Sequence, residues 1–223
     1  MSLGSRLATM FWVWYCLAAA MCLAFPQGRV FTGAIGMSIF WGLLLKFHKT
    51  LQERVERIPG PLGVRFLVVG ILTTDVVMEN LAINFHGDLH PNLALNSLLW
   101  LGGCLAWLAG WWIVSRFYWF EASEVFFIAG IMGMLVEQNG MVAKLLVSGQ
   151  WFPAIVSATI LVPVYGGAVA PTFLLLRRVP SESMRRPGIV GFFVALFLPM
   201  GTFYAGGALW IAVARAGIAR LQL

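Results

Sequence analysis

The chain has 223 residues, 60% of them hydrophobic and only 11% charged, with a formal net charge of +6. Soluble domains run at about 45–50% apolar and about 25% charged, so a soluble fold of this size is excluded, and disordered and disulfide-framework classes fail with it. Nucleic-acid binding is excluded as the origin of the positive charge, because the basic residues sit between apolar runs rather than on one face.

What remains is an all-α, polytopic integral membrane protein built as a single transmembrane domain. Seven apolar segments can be cut at charges, prolines and polar clusters, at about 8–26, 30–46, 63–84, 93–114, 119–140, 153–176 and 189–213. Each is long enough for a helix across a ~30 Å hydrocarbon core, and the alternation that a membrane barrel needs is missing. The first segment has no signal-peptide cleavage pattern and is too long for a signal h-region, so it is expected to be retained. Between the second and third spans, the stretch from Lys46 to Pro61 reads as a short amphipathic surface piece stopped by the turn Pro59-Gly60-Pro61.

The third span carries the first informative charges. An ionisable side chain at the bilayer centre costs about 2.5–3.5 kcal/mol on insertion scales, so its presence needs a reason. Asp75 and Glu79, spaced i, i+4, share one face of that helix, with Asn80 and Asn84 on a neighbouring line. The polar line continues through His86, Asp88 and His90 and re-enters the fourth span at Asn92 and Asn96. Two imidazoles and a carboxylate invite a metal, but the third histidine, His48, belongs to the opposite side, so a wet loop is the plainer reading of that segment.

Along the fourth span Asn96, Trp100, Trp107 and Trp111 fall on one helical face. Trp100 and Trp107 are deep enough to line a pocket or face lipid, whereas Trp111, Trp112, Trp119 and Trp151 sit at interfacial depth, as an aromatic belt does. The fifth span opens with Glu121 and Glu124, expected to form a surface ion pair, near Arg116, or to place negative charge at a helix N-terminus. It closes with Glu137, Gln138 and Asn139, and Gly133, one turn before Glu137, would admit a second helix at close range. Spans six and seven share a faint pattern, Pro163-x-Tyr165-Gly166-Gly167 and Pro199 followed by Tyr204-Ala205-Gly206-Gly207. Proline kinks and glycine packing explain it as well as an internal repeat does. Cys16, Cys22 and Cys104 lie within apolar spans and form no redox motif.

Orientation follows from the basic residues. Arg6, Lys46, Lys49, Arg54, Arg57, Arg65, Arg116, Arg177, Arg178, Arg185 and Arg186 fall at one set of span ends, and only Arg29, Lys144, Arg215 and Arg220 at the other. The positive-inside rule then predicts a cytoplasmic N-terminus and an external C-terminus, in a plasma or inner membrane.

Asp75, Glu79, Asn80, Asn96 and Glu137 are therefore expected to line an outward-facing polar pocket. Three readings of it stand side by side. In the first the protein is an intramembrane enzyme acting on a lipophilic, lipid- or isoprenoid-like substrate. Asp75, Glu79 and Glu137 would serve as acid and base, and Asn80, Asn84, Asn96, Trp100, Trp107 and Gln138 would hold the substrate. In the second it is a small proton- or cation-coupled transporter or channel. In the third it is a non-catalytic subunit of a larger membrane complex. The expected partners are membrane lipid, a lipophilic small molecule or ion, and in the third case another membrane polypeptide. No residue pattern names a cofactor. The last span carries no lysine for a retinal Schiff base, the chain lacks the intramembrane histidines of ceramidase-like hydrolases, and the last two spans lack the acid that membrane terpenoid cyclases place there.

Overall fold

The computed structural model describes residues 29–81, 93–137, 140–176 and 184–221. Among them the chain is helical, with helices α1 (Arg29–Glu56), α2 (Leu62–Leu81), α3 (Leu93–Phe117), α4 (Ala122–Val136), α5 (Met141–Val147), α6 (Trp151–Leu175) and α7 (Ile189–Leu221). The first predicted span, 8–26, lies outside the described residues. Two described helices, Trp151–Leu175 and Ile189–Val213, are each long and apolar enough to cross a membrane, and α4 and α5 make a third if counted as one span bent by 77°.

Three boundaries differ from those read off the sequence, each for a local reason. The second span does not stop at Lys46: α1 runs on to Glu56, because the amphipathic stretch keeps a buried face, with Trp41, Leu44 and Val55 in the core. It ends where Pro59-Gly60-Pro61 can no longer supply helical N–H groups, and Gly60 takes φ +110°. The fourth span continues to Phe117, closed by Tyr118 N–H donating to Val114 O at 3.0 Å. The fifth span is not one rod. Glu137 leaves the helix with extended backbone (φ −64°, ψ 131°), and the chain restarts at Gly140 in the left-handed region (φ +76°), where a side chain would be strained.

The helices pack in a fixed register, α2 antiparallel to both α3 and α6 and α3 antiparallel to α7. Phe66 of α2 packs on Trp112 of α3 and Phe173 of α6, with ring centroids 5.2 and 5.5 Å apart. A turn or two further along α2, the hydroxyls of Thr73 and Thr74 donate to the carbonyl of Ala168, at 3.0 and 3.2 Å. This is how a polar side chain is accommodated in an apolar bundle: it borrows a neighbouring backbone acceptor, here next to Pro171, whose ring disturbs the local helix ladder. Gln52 Nε2 donates to Leu174 O at 2.7 Å, which fixes the C-terminal half of α1 against the end of α6.

These contacts bring one set of helix ends together. The segment before α7 runs beside the α3–α4 connection as a short parallel bridge, with Arg185 N–H donating to Phe117 O and Trp119 N–H to Arg185 O. Arg186 closes that end. Its guanidinium lies 3.9 Å from the Trp119 ring centroid, 3.1 Å from Glu121 Oε1 and 3.5 Å from Glu124 Oε2. The ion pair expected at the start of the fifth span is present, but its cation is Arg186, 65 residues downstream of Glu121, rather than the nearby Arg116. Arg116 instead lies over the Trp112 ring. Glu124 also accepts the Glu121 backbone N–H at 2.7 Å, so the same carboxylate caps α4.

Candidate functional site

The site begins with the α4–α6 contact. Gly130 and Gly133 face α6, and a Cβ on Gly130 would stand 2.6 Å from Val162 Cγ1, while one on Gly133 would overlap the Tyr165 ring. The close approach expected at Gly133 is therefore realised, and Tyr165 fills the place. Helical side chains lean toward the N-terminus of their own helix. Because α6 runs antiparallel to α4, the Tyr165 phenol leans toward the C-terminal end of α4. There its hydroxyl donates to Glu137 Oε2.

Depth makes this pair unusual. Tyr165 is 8% exposed, with roughly 20 Å of α6 on its N-terminal side and roughly 15 Å on the other at about 1.5 Å per residue. The 15 residues of α4 span roughly 22 Å on the same rise. Glu137 thus ends a helix that stops short of a ~30 Å core, and its carboxylate is tied to a phenol halfway along the neighbouring span.

Around the phenol the wall is aromatic. Trp107 of α3 is fully buried and meets the Tyr165 ring edge-on at 6.2 Å and Phe203 of α7 at 6.5 Å. It therefore faces the bundle interior and not lipid. Trp111, one turn on, is also fully buried, between Phe120 and Phe173, so it belongs to the core and not to an interfacial belt. The indole N–H groups of Trp107 and Trp111 and the hydroxyl of Thr172 are buried without a hydrogen-bond partner among the described residues. Cys104, a free and buried thiol, lies one turn before Trp107.

The sequence-derived site is therefore partly assembled. Glu137 and Trp107 meet through Tyr165. Asp75 itself is exposed, on the outer stripe of α2 with Leu72 and Val76. Glu79 and Asn80 belong to α2 and Asn96 and Trp100 to α3 by backbone, and their side chains lie outside the described residues, as do Asn84, His86, Asp88, His90 and Gln138 in full. Among the described residues no group of three His, Cys, Asp or Glu side chains gathers to hold a metal.

Tyr165 is the residue that sequence reasoning passed over. It entered only as part of the proline–tyrosine–glycine pattern shared with the last span, and the structure separates the two copies: Tyr165 is buried and bonded to Glu137, whereas Tyr204 is 53% exposed. A phenol in the middle of an otherwise apolar span, with an unexplained acid at the end of the previous one, was the signal available.

These features define a helical protein with helices fit to cross a membrane and a part-buried acid–phenol pair at a break between two of them. No protein-family model, curated protein or solved structure matches the chain.

Proposed function

We propose that the protein crosses the membrane seven times, N-terminus in the cytoplasm, and that it is an intramembrane enzyme acting on a lipophilic substrate by carboxylate acid–base chemistry. The topology is supported by the contacts that bring the ends bearing Arg54, Arg65, Arg116, Arg185 and Arg186 to one side of the bundle, the side that the positive-inside rule makes cytoplasmic.

The observation that carries the chemistry is the hydrogen bond from Tyr165 to Glu137. A phenol donating to a carboxylate holds one oxygen in place and leaves the other to take or return a proton. Trp107, edge-on to that phenol, offers a π face that would stabilise positive charge developing on an unsaturated substrate. In this reading Glu79 supplies the second carboxylate that acid–base catalysis needs, with Asp75 one turn before it on the exposed stripe of α2.

The test is comparative. Lipid extracts of membranes containing wild-type protein, Glu137→Gln and Glu79→Gln, at equal protein levels, are compared by mass spectrometry. The expected result is a lipophilic product that falls by about 100-fold or more in either variant. Identical extracts would overturn the proposal.

A second reading is favoured by one feature, the 77° bend between α4 and α5. Transporters place ion and substrate sites at interrupted helices near the bilayer midplane. In that reading Glu137 carries a proton across. Proteoliposomes loaded with a pH-sensitive dye distinguish the two: dissipation of an imposed proton gradient that Glu137→Gln abolishes would favour transport over catalysis.

A further inference from the structure

The α1 helix carries a feature that the acid–phenol pair does not use. Phe40, Leu43, Leu44, Phe47, Thr50 and Leu51 line a groove with a cavity volume of about 400 Å³, inside the range of about 300–1,000 Å³ typical of small-molecule sites. The groove is open to the outside of the bundle. Leu43 is 53% exposed and Phe47 46%, while buried Leu44 forms the groove's inner edge and Trp41 anchors α1 in the core.

The helix continues beyond the apolar part with a change of chemistry along the same stripe. At spacings of three and four residues, Leu43, Phe47 and Thr50 are followed by Arg54 and, just past the helix end, Arg57, all of them exposed. Lys46, one turn from both Leu43 and Thr50, places its ammonium 5.4 Å from the Phe47 ring centroid. About 10 Å of helix separates Phe47 from Arg54 at about 1.5 Å per residue. Glu53 shares this face, at i+7 from Lys46 and i+3 from Thr50, and Glu56 lies further round the turn, but the exposed bases Lys46, Lys49, Arg54 and Arg57 outnumber these two acids. An apolar trough that ends between a lysine and an arginine matches one ligand chemistry, a hydrocarbon chain with an anionic head.

We propose that the α1 groove binds an anionic phospholipid, its acyl chain along Phe40, Leu43 and Phe47 and its phosphate between Lys46 and Arg54. This rests on the membrane-spanning reading of α1, not on the catalytic one, so its failure and that of the acid–base proposal are independent. Charge complementarity selects the anionic lipid over a zwitterionic one, because each basic side chain near a negative headgroup contributes a several-fold gain in binding.

The experiment is native mass spectrometry of the purified full-length protein titrated with phosphatidylglycerol or phosphatidylcholine of identical chains. Wild-type protein is expected to retain phosphatidylglycerol in preference, and K46Q/R54Q to lose that preference by roughly tenfold or more. The charge-conserving variant K46R/R54K should keep it, which separates lost charge from lost folding. Equal retention of the two lipids, or an unchanged preference in K46Q/R54Q, would overturn the proposal. So would oxidative cross-linking of Leu43→Cys to the native Cys16 or Cys22 in membranes, since the groove would then be occupied by the chain's own N-terminal segment.

Discussion

Two seams of the molecule use the same packing device and end in different chemistry. In the α4–α6 seam, Gly130 and Gly133 let α6 approach, and in the α3–α7 seam Gly110 lets Pro199 and Thr202 approach. Both seams have an aromatic seated near the contact, Tyr165 in one and Phe203 beside Trp107 in the other. Among the described residues, only the first brings an acid against the aromatic. Small residues create close packing wherever they face another helix, but the candidate site lies where the chain also breaks, at Glu137. The α3–α7 seam, with two long uninterrupted helices, is a scaffold.

The largest effects that can break this contrast come from filling the close approaches. Gly110→Val would place methyl groups against the Pro199 backbone, since even a Cβ there stands 2.7 Å from Pro199 Cα. Overpacking of this kind costs about 1–3 kcal/mol, read as a lowered thermal midpoint in detergent. Gly133→Val is expected to cost a similar amount and, in addition, to displace the Tyr165 ring and abolish the Glu137-dependent product. If Gly110→Val removed activity as fully as Gly133→Val at matched stability, the scaffold reading of the α3–α7 seam would be wrong.

Tyr165→Phe comes next. Interhelical side-chain hydrogen bonds in membranes average about 0.6 kcal/mol and reach about 1.7, so the variant should lose stability in that range while Tyr204→Phe, at the exposed copy of the pattern, is silent. Equal losses at the two tyrosines in denaturant titrations would remove the distinction between the spans.

Smaller changes test the scaffold from its other side. Gly201 lies within α7, is exposed, and has nothing within 4 Å of a Cβ built on it. Gly201→Ala is therefore expected to stabilise, by about 0.5–1 kcal/mol, where the same change at Gly110 destabilises. A lower melting temperature for Gly201→Ala would contradict the open packing there. Least of all, Arg186→Ala should cost about 0.2–1 kcal/mol, because its pairs with Glu121 and Glu124 are half exposed and surface pairs are screened. The loss should shrink as salt is raised, and a salt-independent loss would mean that stacking on Trp119 carries the contribution.

Much of this architecture was legible beforehand because hydrophobic runs and charges are local signals. The apolar segments after the first, which lies outside the described residues, correspond to described helices with shifts at their ends, except that the fifth is broken into two, and the close packing at Gly133 follows from a small residue one turn before an acid. Other features were not legible. That Arg186 and not Arg116 pairs with Glu121 depends on a bridge between segments more than 60 residues apart. Trp111 looks interfacial by its position near the helix end, yet neighbouring helices extend past it and enclose it.

The sequence by itself determined that the chain is helical and apolar, which charges it places at alternate helix ends, and that Asp75, Glu79 and Glu137 are the acids in need of an explanation. Burial of apolar surface and the cost of an unpaired charge depend on residue type and spacing, so they can be read along one dimension. Only the tertiary structure decided that Tyr165 is the partner of Glu137, that Trp107 closes over it, and that α1 presents a groove bounded by Lys46 and Arg54. Those depend on which faces of antiparallel helices meet and in what register, and register is set by the fit of small residues against large ones across helices distant in the chain.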